Sequence, residues 1–140
     1  YTQYKLDHEI PYDTLLFSDA KSTLDVLKAE GYKLGLASST IKIEIIRAMK
    51  LTGLLPYFEV VLSGDDFEES KPNPEIYQVA MTRLNVAPEE TLVIEDSEKG
   101  IAAGVDSGAT VWGIKDNVFG LNQTRAAKLF DNLTQIVKQL

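Results

Sequence analysis

Two neighbouring carboxylates, Glu95 and Asp96, end the apolar run Leu92-Val93-Ile94 in the stretch "TLVIEDSEKG". Carboxylates are hard oxygen donors, and Mg²⁺ typically takes one or two of them together with phosphate oxygens and water. Ser38, Ser39 and Thr40 follow a second apolar run and precede a helix-type pattern. Hydroxyls there, beside the outward amides and positive dipole end of a helix, make an anion site. The first turn, Ile41-Lys42-Ile43, carries one base and no acid, which leaves that site open to an anion. Lys71, in "SGDDFEESKPNP", supplies a point charge suited to phosphate. Together these groups are the parts of a phosphoryl-transfer site.

Each part has a plainer explanation when taken alone. The hydroxyls can serve only as a helix N-cap. Lys71 can be a surface ion pair contributing ~0–1 kcal/mol. The carboxylate pair can be a turn that feeds Ser97 as the next N-cap. That pair is the hardest to explain away, because adjacent strand positions point to opposite faces. One of the two carboxylates then faces packed helices, where an unpaired charge is costly.

The elements that position these groups alternate. "DAKSTLDVLKAE" (19–30) reads as a helix with Ala20, Leu24, Val26 and Leu27 near one face, stopped by Gly31. Strand 33–38 follows, ending at Ser38. "TIKIEIIRAMK" favours a helix through Ile45, Ile46 and Met49, although its isoleucines also alternate. "EVVLSG" is a short buried strand. Asn73-Pro74 opens a helix as cap and first helical residue, with Ile76, Val79, Ala80 and Leu84 inward. "TLVIED" (91–96) is a strand, "SEKGIAAGVDSG" a helix and "TVWGIK" a strand. The last twenty residues read as helical over 121–129 and 133–140, separated around Asp131-Asn132. Gly100, Gly104 and Gly108 recur along one helix, each of the first two costing roughly 1 kcal/mol against alanine. Close packing on the sheet explains them, with Gly108 as the stop.

Alternating strands and helices imply an α/β fold, a parallel sheet with helices on both faces. In such sheets ligands bind outside the carboxyl ends of the strands. The hydroxyls, the lysine and the carboxylates all fall on that edge.

The chain has 140 residues, one domain's worth, and no cysteine. Disulfides and thiolate chemistry are therefore excluded, which fits a reducing, cytoplasmic setting. Its net charge of −7 disfavours nucleic-acid binding. No apolar run reaches membrane-span length. The single histidine, His8, would have to serve any serine–histidine–carboxylate triad; in a charged terminal segment it reads as solvated.

"LASST", "SKPNPEIY" and "VIEDSEKGIAAGVDSGA" resemble motifs two, three and four of the haloacid dehalogenase (HAD) superfamily. The nearest subgroup holds the β-phosphoglucomutase-like and phosphoglycolate-phosphatase-like members. The resemblance runs in order from about Phe17 to the end. It implies a three-layer Rossmann-like core over 17–140 and a Mg²⁺-dependent transfer from a small phosphorylated metabolite, by a phosphatase or a phosphomutase. It also implies that Ser38 and Lys71 bind the transferring phosphoryl group, and that Asp96, and less directly Glu95, hold Mg²⁺. Thr40 would contact a substrate phosphate, with Ser39 and Lys42 as further candidates. In the mutases a lysine follows that hydroxyl directly; here Ile41 intervenes, which argues against glucose phosphate.

In the family this chain resembles, the nucleophile is an aspartate in a D-x-D-x-[TV] motif at the end of the first strand, and this sequence has no such motif. Asp65-Asp66 are adjacent rather than spaced; Asp7 and Asp13 follow no apolar strand. The first motif and most of a cap domain are therefore expected upstream, with residues 1–16 as the end of a cap helix and a hinge. The missing strand would lie between strands 33–38 and 91–96. Its place is expected to be filled by a co-purified N-terminal piece, by a swapped element from another copy, or by rearrangement. Two other readings stand beside this one: a non-catalytic regulatory or binding fragment, and a receiver-like flavodoxin module. The receiver reading is weaker, because its phosphoacceptor aspartate ends a strand with no K-P-x-P loop after it.

Overall fold

A computed structural model describes residues 20–68, 71, 73–115, 120 and 122–140. The expectations for residues 1–16, His8 included, lie outside the described residues.

Helix α1 (Ala20–Ala29) leads into strand β1 (Gly35–Ser38), helix α2 (Lys42–Thr52) and strand β2 (Val60–Ser63). Helix α3 (Glu75–Leu84), strand β3 (Leu92–Glu95), helix α4 (Glu98–Asp106) and strand β4 (Thr110–Ile114) follow. Strand β5 (Lys128–Phe130) and helix α5 (Leu133–Gln139) close the chain. All the strand pairings are parallel. β1 pairs with β2, Ser38 opposite Ser63. β3, β4 and β5 form a second sheet in that order, with Glu95 opposite Gly113.

The two sheets share both cores. On one face Leu34, just before β1, Leu36 of β1, Leu92 and Ile94 of β3, and Trp112 of β4 pack with α1, α2 and α5. On the other face Ala37, Val93 and Val111 pack with Ile76, Tyr77, Ala80, Met81 and Leu84 of α3 and Ile101 and Ala103 of α4. Consecutive residues of β1 and β3 thus feed opposite cores, as a period-two backbone covered on both faces requires. The result is the expected three-layer α/β arrangement. Among the described residues, β1 pairs only with β2, and β3 only with β4.

Several expectations need correction. Of the expected helix over 121–129, the described residues 122–129 are not helical: residues 128–130 pair with β4, and Leu129 lies opposite Gly113. Backbone pairing along an existing strand overrides the weak helical spacing of the leucines. Val26 is exposed rather than inward, and Thr23 takes the buried position beside Leu24. α3 starts one residue late, with Pro74 at the capping position, although Asn73 Oδ1 still accepts the Glu75 amide. The helix expected over 40–50 is confirmed as α2, with Ile45 and Met49 buried. Gly108 ends α4 at φ +93°, a left-handed conformation open to glycine. No helix among the described residues is long and apolar enough to cross a membrane.

Candidate active site

β3 ends at Glu95, so the alternation along the strand decides where each carboxylate goes. Val93 faces α3 and α4, and Glu95, two residues on, faces them too. Glu95 is 4% exposed, and both oxygens of its carboxylate accept hydrogen bonds. Oε2 accepts from Lys71 Nζ at 3.0 Å and from the Tyr77 hydroxyl at 2.8 Å. Oε1 accepts from the Asp96 amide at 3.0 Å, and more weakly from the Ser97 amide and hydroxyl. The Lys71 side chain is 9% exposed, so the ion pair is a desolvated one. Such a pair is tolerated because further hydrogen bonds satisfy the carboxylate. The lysine ammonium also lies 5.2 Å from the centre of the Tyr77 ring.

Gly100 makes room for this cluster. A Cβ there would lie 2.0 Å from Glu95 Cδ and 2.1 Å from its Oε2. Sheet packing alone does not explain this glycine: it accommodates the buried carboxylate. Gly104 does serve the sheet, since its Cβ would meet Val111 at 2.7 Å and Val93 at 3.1 Å. Ser97 caps α4 as expected, its Oγ accepting the Gly100 amide at 3.0 Å.

Asp96, the first residue past the strand, is half-buried. Its backbone oxygen accepts from Gln123 Nε2 at 2.8 Å, and the same amide donates to Ile114 O at 2.8 Å. Gln123, 8% exposed, thereby ties the end of β3 to the end of β4. Nothing in the sequence pointed to it, since its segment read as a helix. Tyr77 was also missed. It sits at a core position of α3, and a buried tyrosine needs a partner for its hydroxyl.

The hydroxyl group of residues lies at the end of the other sheet, knit to the turn after β2. Ser38 Oγ accepts the Thr40 amide at 3.1 Å. Ser63 Oγ donates to Thr40 O at 2.7 Å. Ser39 is exposed, and its backbone lies against Gly64. One amide of the α2 N-terminus already has an anionic partner. The Asp65 carboxylate accepts the Lys42 amide at 3.0 Å. A cap from another loop had no signal in the helix's own first turn. Lys42 Nζ donates to Val61 O at 2.8 Å and to Asp66 Oδ2 at 3.1 Å. Donation from the Ser63 amide, and then from Lys42, holds the Asp66 carboxyl below its usual range, partial burial opposing the shift. The structure thus gathers Lys71, Glu95 and Asp96 in one cluster, and Ser38, Ser39, Thr40 and Lys42 in a second. Both lie at the carboxyl ends of parallel strands.

This donor set admits a divalent cation only in part. Glu95 already receives protein donors at both oxygens and fits the role of an indirect partner. Asp96 can offer a carboxylate, as Mg²⁺ sites with one or two carboxylates use. No group of three or more metal-ligating side chains occurs among the described residues.

The sequence profile of the haloacid dehalogenase-like hydrolases matches residues 1–114. The chain is 37% identical over 108 residues to the pyrophosphatase PpaX of Bacillus pumilus, covering 74% of this chain and 48% of that protein. It is 36% identical over 107 residues to a phosphorylated carbohydrates phosphatase of Thermotoga maritima, covering 76% of this chain and 48% of that protein. Among solved structures, a Thermotoga maritima protein provisionally named β-phosphoglucomutase superposes with a TM-score of 0.78 at 31% identity. That match covers 89% of this chain and 60% of the other. The chain spans about half the length of the curated relatives it matches.

Proposed function

Since this chain belongs to the haloacid dehalogenase-like hydrolases, we propose that it supplies part of the active site of a Mg²⁺-dependent phosphotransferase. The reaction is phosphoryl transfer from a small phosphorylated metabolite, by a phosphatase or a phosphomutase. The observation that carries this reading is the desolvated Lys71–Glu95 pair beside Asp96 at the end of a parallel strand. A lysine fixed there is suited to a phosphoryl oxygen, because its charge is desolvated and already positioned. The relatives named for pyrophosphate and for phosphorylated carbohydrates support a phosphate-ester or anhydride substrate without choosing between them.

In the proposed reaction an aspartate carboxylate, from a first motif upstream of Tyr1, attacks phosphorus. The bond from phosphorus to the leaving oxygen breaks, and an aspartyl-phosphate forms. Water, or a second substrate hydroxyl, then takes the phosphoryl group and regenerates the carboxylate. Bound Mg²⁺ would offset charge on the phosphoryl oxygens, held in part by Asp96. Lys71 offsets the same charge from the protein side, and Glu95 holds the lysine in place. Ser38 and Thr40 offer hydroxyls to the phosphoryl and substrate phosphates, with Ser39 and Lys42 beside them. The strand preceding the nucleophile would occupy the space between β1 and β3, and a cytoplasmic setting accompanies the reading.

The test is a panel of phosphorylated metabolites and an aryl phosphate, assayed on the complete protein with Mg²⁺. Turnover that is lost with EDTA and restored by Mg²⁺ is expected. Lys71→Ala should lower kcat on the aryl phosphate by about a hundredfold or more; an unchanged kcat would sink the assignment.

A further inference from the structure

Tyr77 is 0% exposed, and its hydroxyl donates to the Glu95 oxygen that Lys71 also holds. We propose that Tyr77 is a positioning residue, which sets the Lys71 ammonium through Glu95 for contact with a phosphoryl group. The inference rests on the phosphotransferase reading above.

Three features of the cluster carry it. First, the tyrosine hydroxyl and the lysine ammonium meet on one carboxylate oxygen, at 2.8 and 3.0 Å. Moving that oxygen moves the lysine's partner. Second, the Tyr77 ring lies 5.2 Å from the ammonium, so one side chain touches both members of the ion pair. Third, the carboxylate is confined on its remaining sides, by the Asp96 amide at Oε1 and by Gly100 against its Cδ. The tyrosine backbone is held rigidly, because α3 buries Ile76, Ala80, Met81 and Leu84 around it. The hydroxyl therefore comes from a fixed point. Without it, Oε2 loses the donor delivered from the fixed helix, and the lysine's partner is held less firmly. A tyrosine kept only to fill the core would not need this hydroxyl, since phenylalanine has nearly the same shape.

Tyr77→Phe separates the two roles, since it keeps the ring and removes the hydroxyl. In the complete protein, with an aryl phosphate and Mg²⁺, kcat should fall about tenfold. The same substitution in a Glu95→Gln background should change kcat by less than about twofold, because the hydroxyl acts through that carboxylate. An equal cost in both backgrounds, or a Tyr77→Phe kcat equal to wild type, would overturn the inference. Calorimetric binding of inorganic phosphate with Mg²⁺ gives a readout independent of turnover and of the double variant. There Tyr77→Phe should weaken phosphate about tenfold; equal affinity overturns the positioning role. If wild type binds phosphate but turns nothing over, the phosphotransferase reading fails and the binding comparison still decides Tyr77. If wild type does neither, both are overturned.

Discussion

Glu95 and Asp96 are neighbours in the chain with unlike surroundings. Glu95 lies inside, paired with Lys71 and Tyr77, while Asp96 stands half-buried beyond the strand. Period-two alternation made it legible that one of the two would be buried; which one, and by what partners, was not. The residue most exposed to a small change is Gly100. Gly100→Ala places a methyl 2.0 Å from Glu95 Cδ, so the carboxylate must leave its donors or α4 must shift. Urea denaturation should report a loss of about 2 kcal/mol or more, with activity lost as well. Unchanged stability would mean that Glu95 repacks without cost.

At the scale of elements, the two loops after β1 and β2 act as one unit. The turn after β2 supplies Asp65 to the first amide of α2 and Asp66 to Lys42 and to the Ser63 amide. Asp65→Ala removes a cap delivered from outside the helix and should cost about 1 kcal/mol, read by chemical denaturation. Asp66 gives a pH dependence of known sign. Its folded pKa is lowered below the ordinary 3.8. Its contribution is therefore full above that value and is lost as pH falls through the lower folded one. Melting curves across that acid range should flatten in Asp66→Asn; an unchanged acid limb would remove Asp66 from the cause. α4 meets the sheet through Gly104, and Gly104→Ala should cost about 1–3 kcal/mol by the same denaturation assay, because Val111 and Val93 occupy the space. A smaller cost would mean that the helix has room to lift.

Over the whole molecule, β1 and β3 contribute to the same two cores while pairing in different sheets among the described residues. Both strands are buried along their length. A backbone edge buried in this way is costly unless its groups are paired. The proposed upstream strand would pair them. Joining a segment that carries the proposed first-motif strand to these 140 residues should slow hydrogen exchange at β1 and β3 amides relative to the 140-residue chain. Equal exchange in the two proteins would count against a strand placed there.

The sequence by itself determined the alternation of elements, the parallel layering and the family. These follow from local periodicity, from glycine and proline at element ends, and from the order of short motifs. The edge on which Ser38, Lys71, Glu95 and Asp96 fall was legible too, because strand direction fixes where carboxyl ends lie. Only the tertiary structure decided which partners those residues meet. Tyr77 reaches Glu95 from α3, Gln123 holds the Asp96 backbone from the approach to β5, and Asp65 closes α2 from another loop. Each contact spans 18 to 27 positions of chain. No local pattern encodes a pairing over that distance. It arises when helices and strands pack, and the cost of a buried charge or an unmet donor then selects the partner within reach.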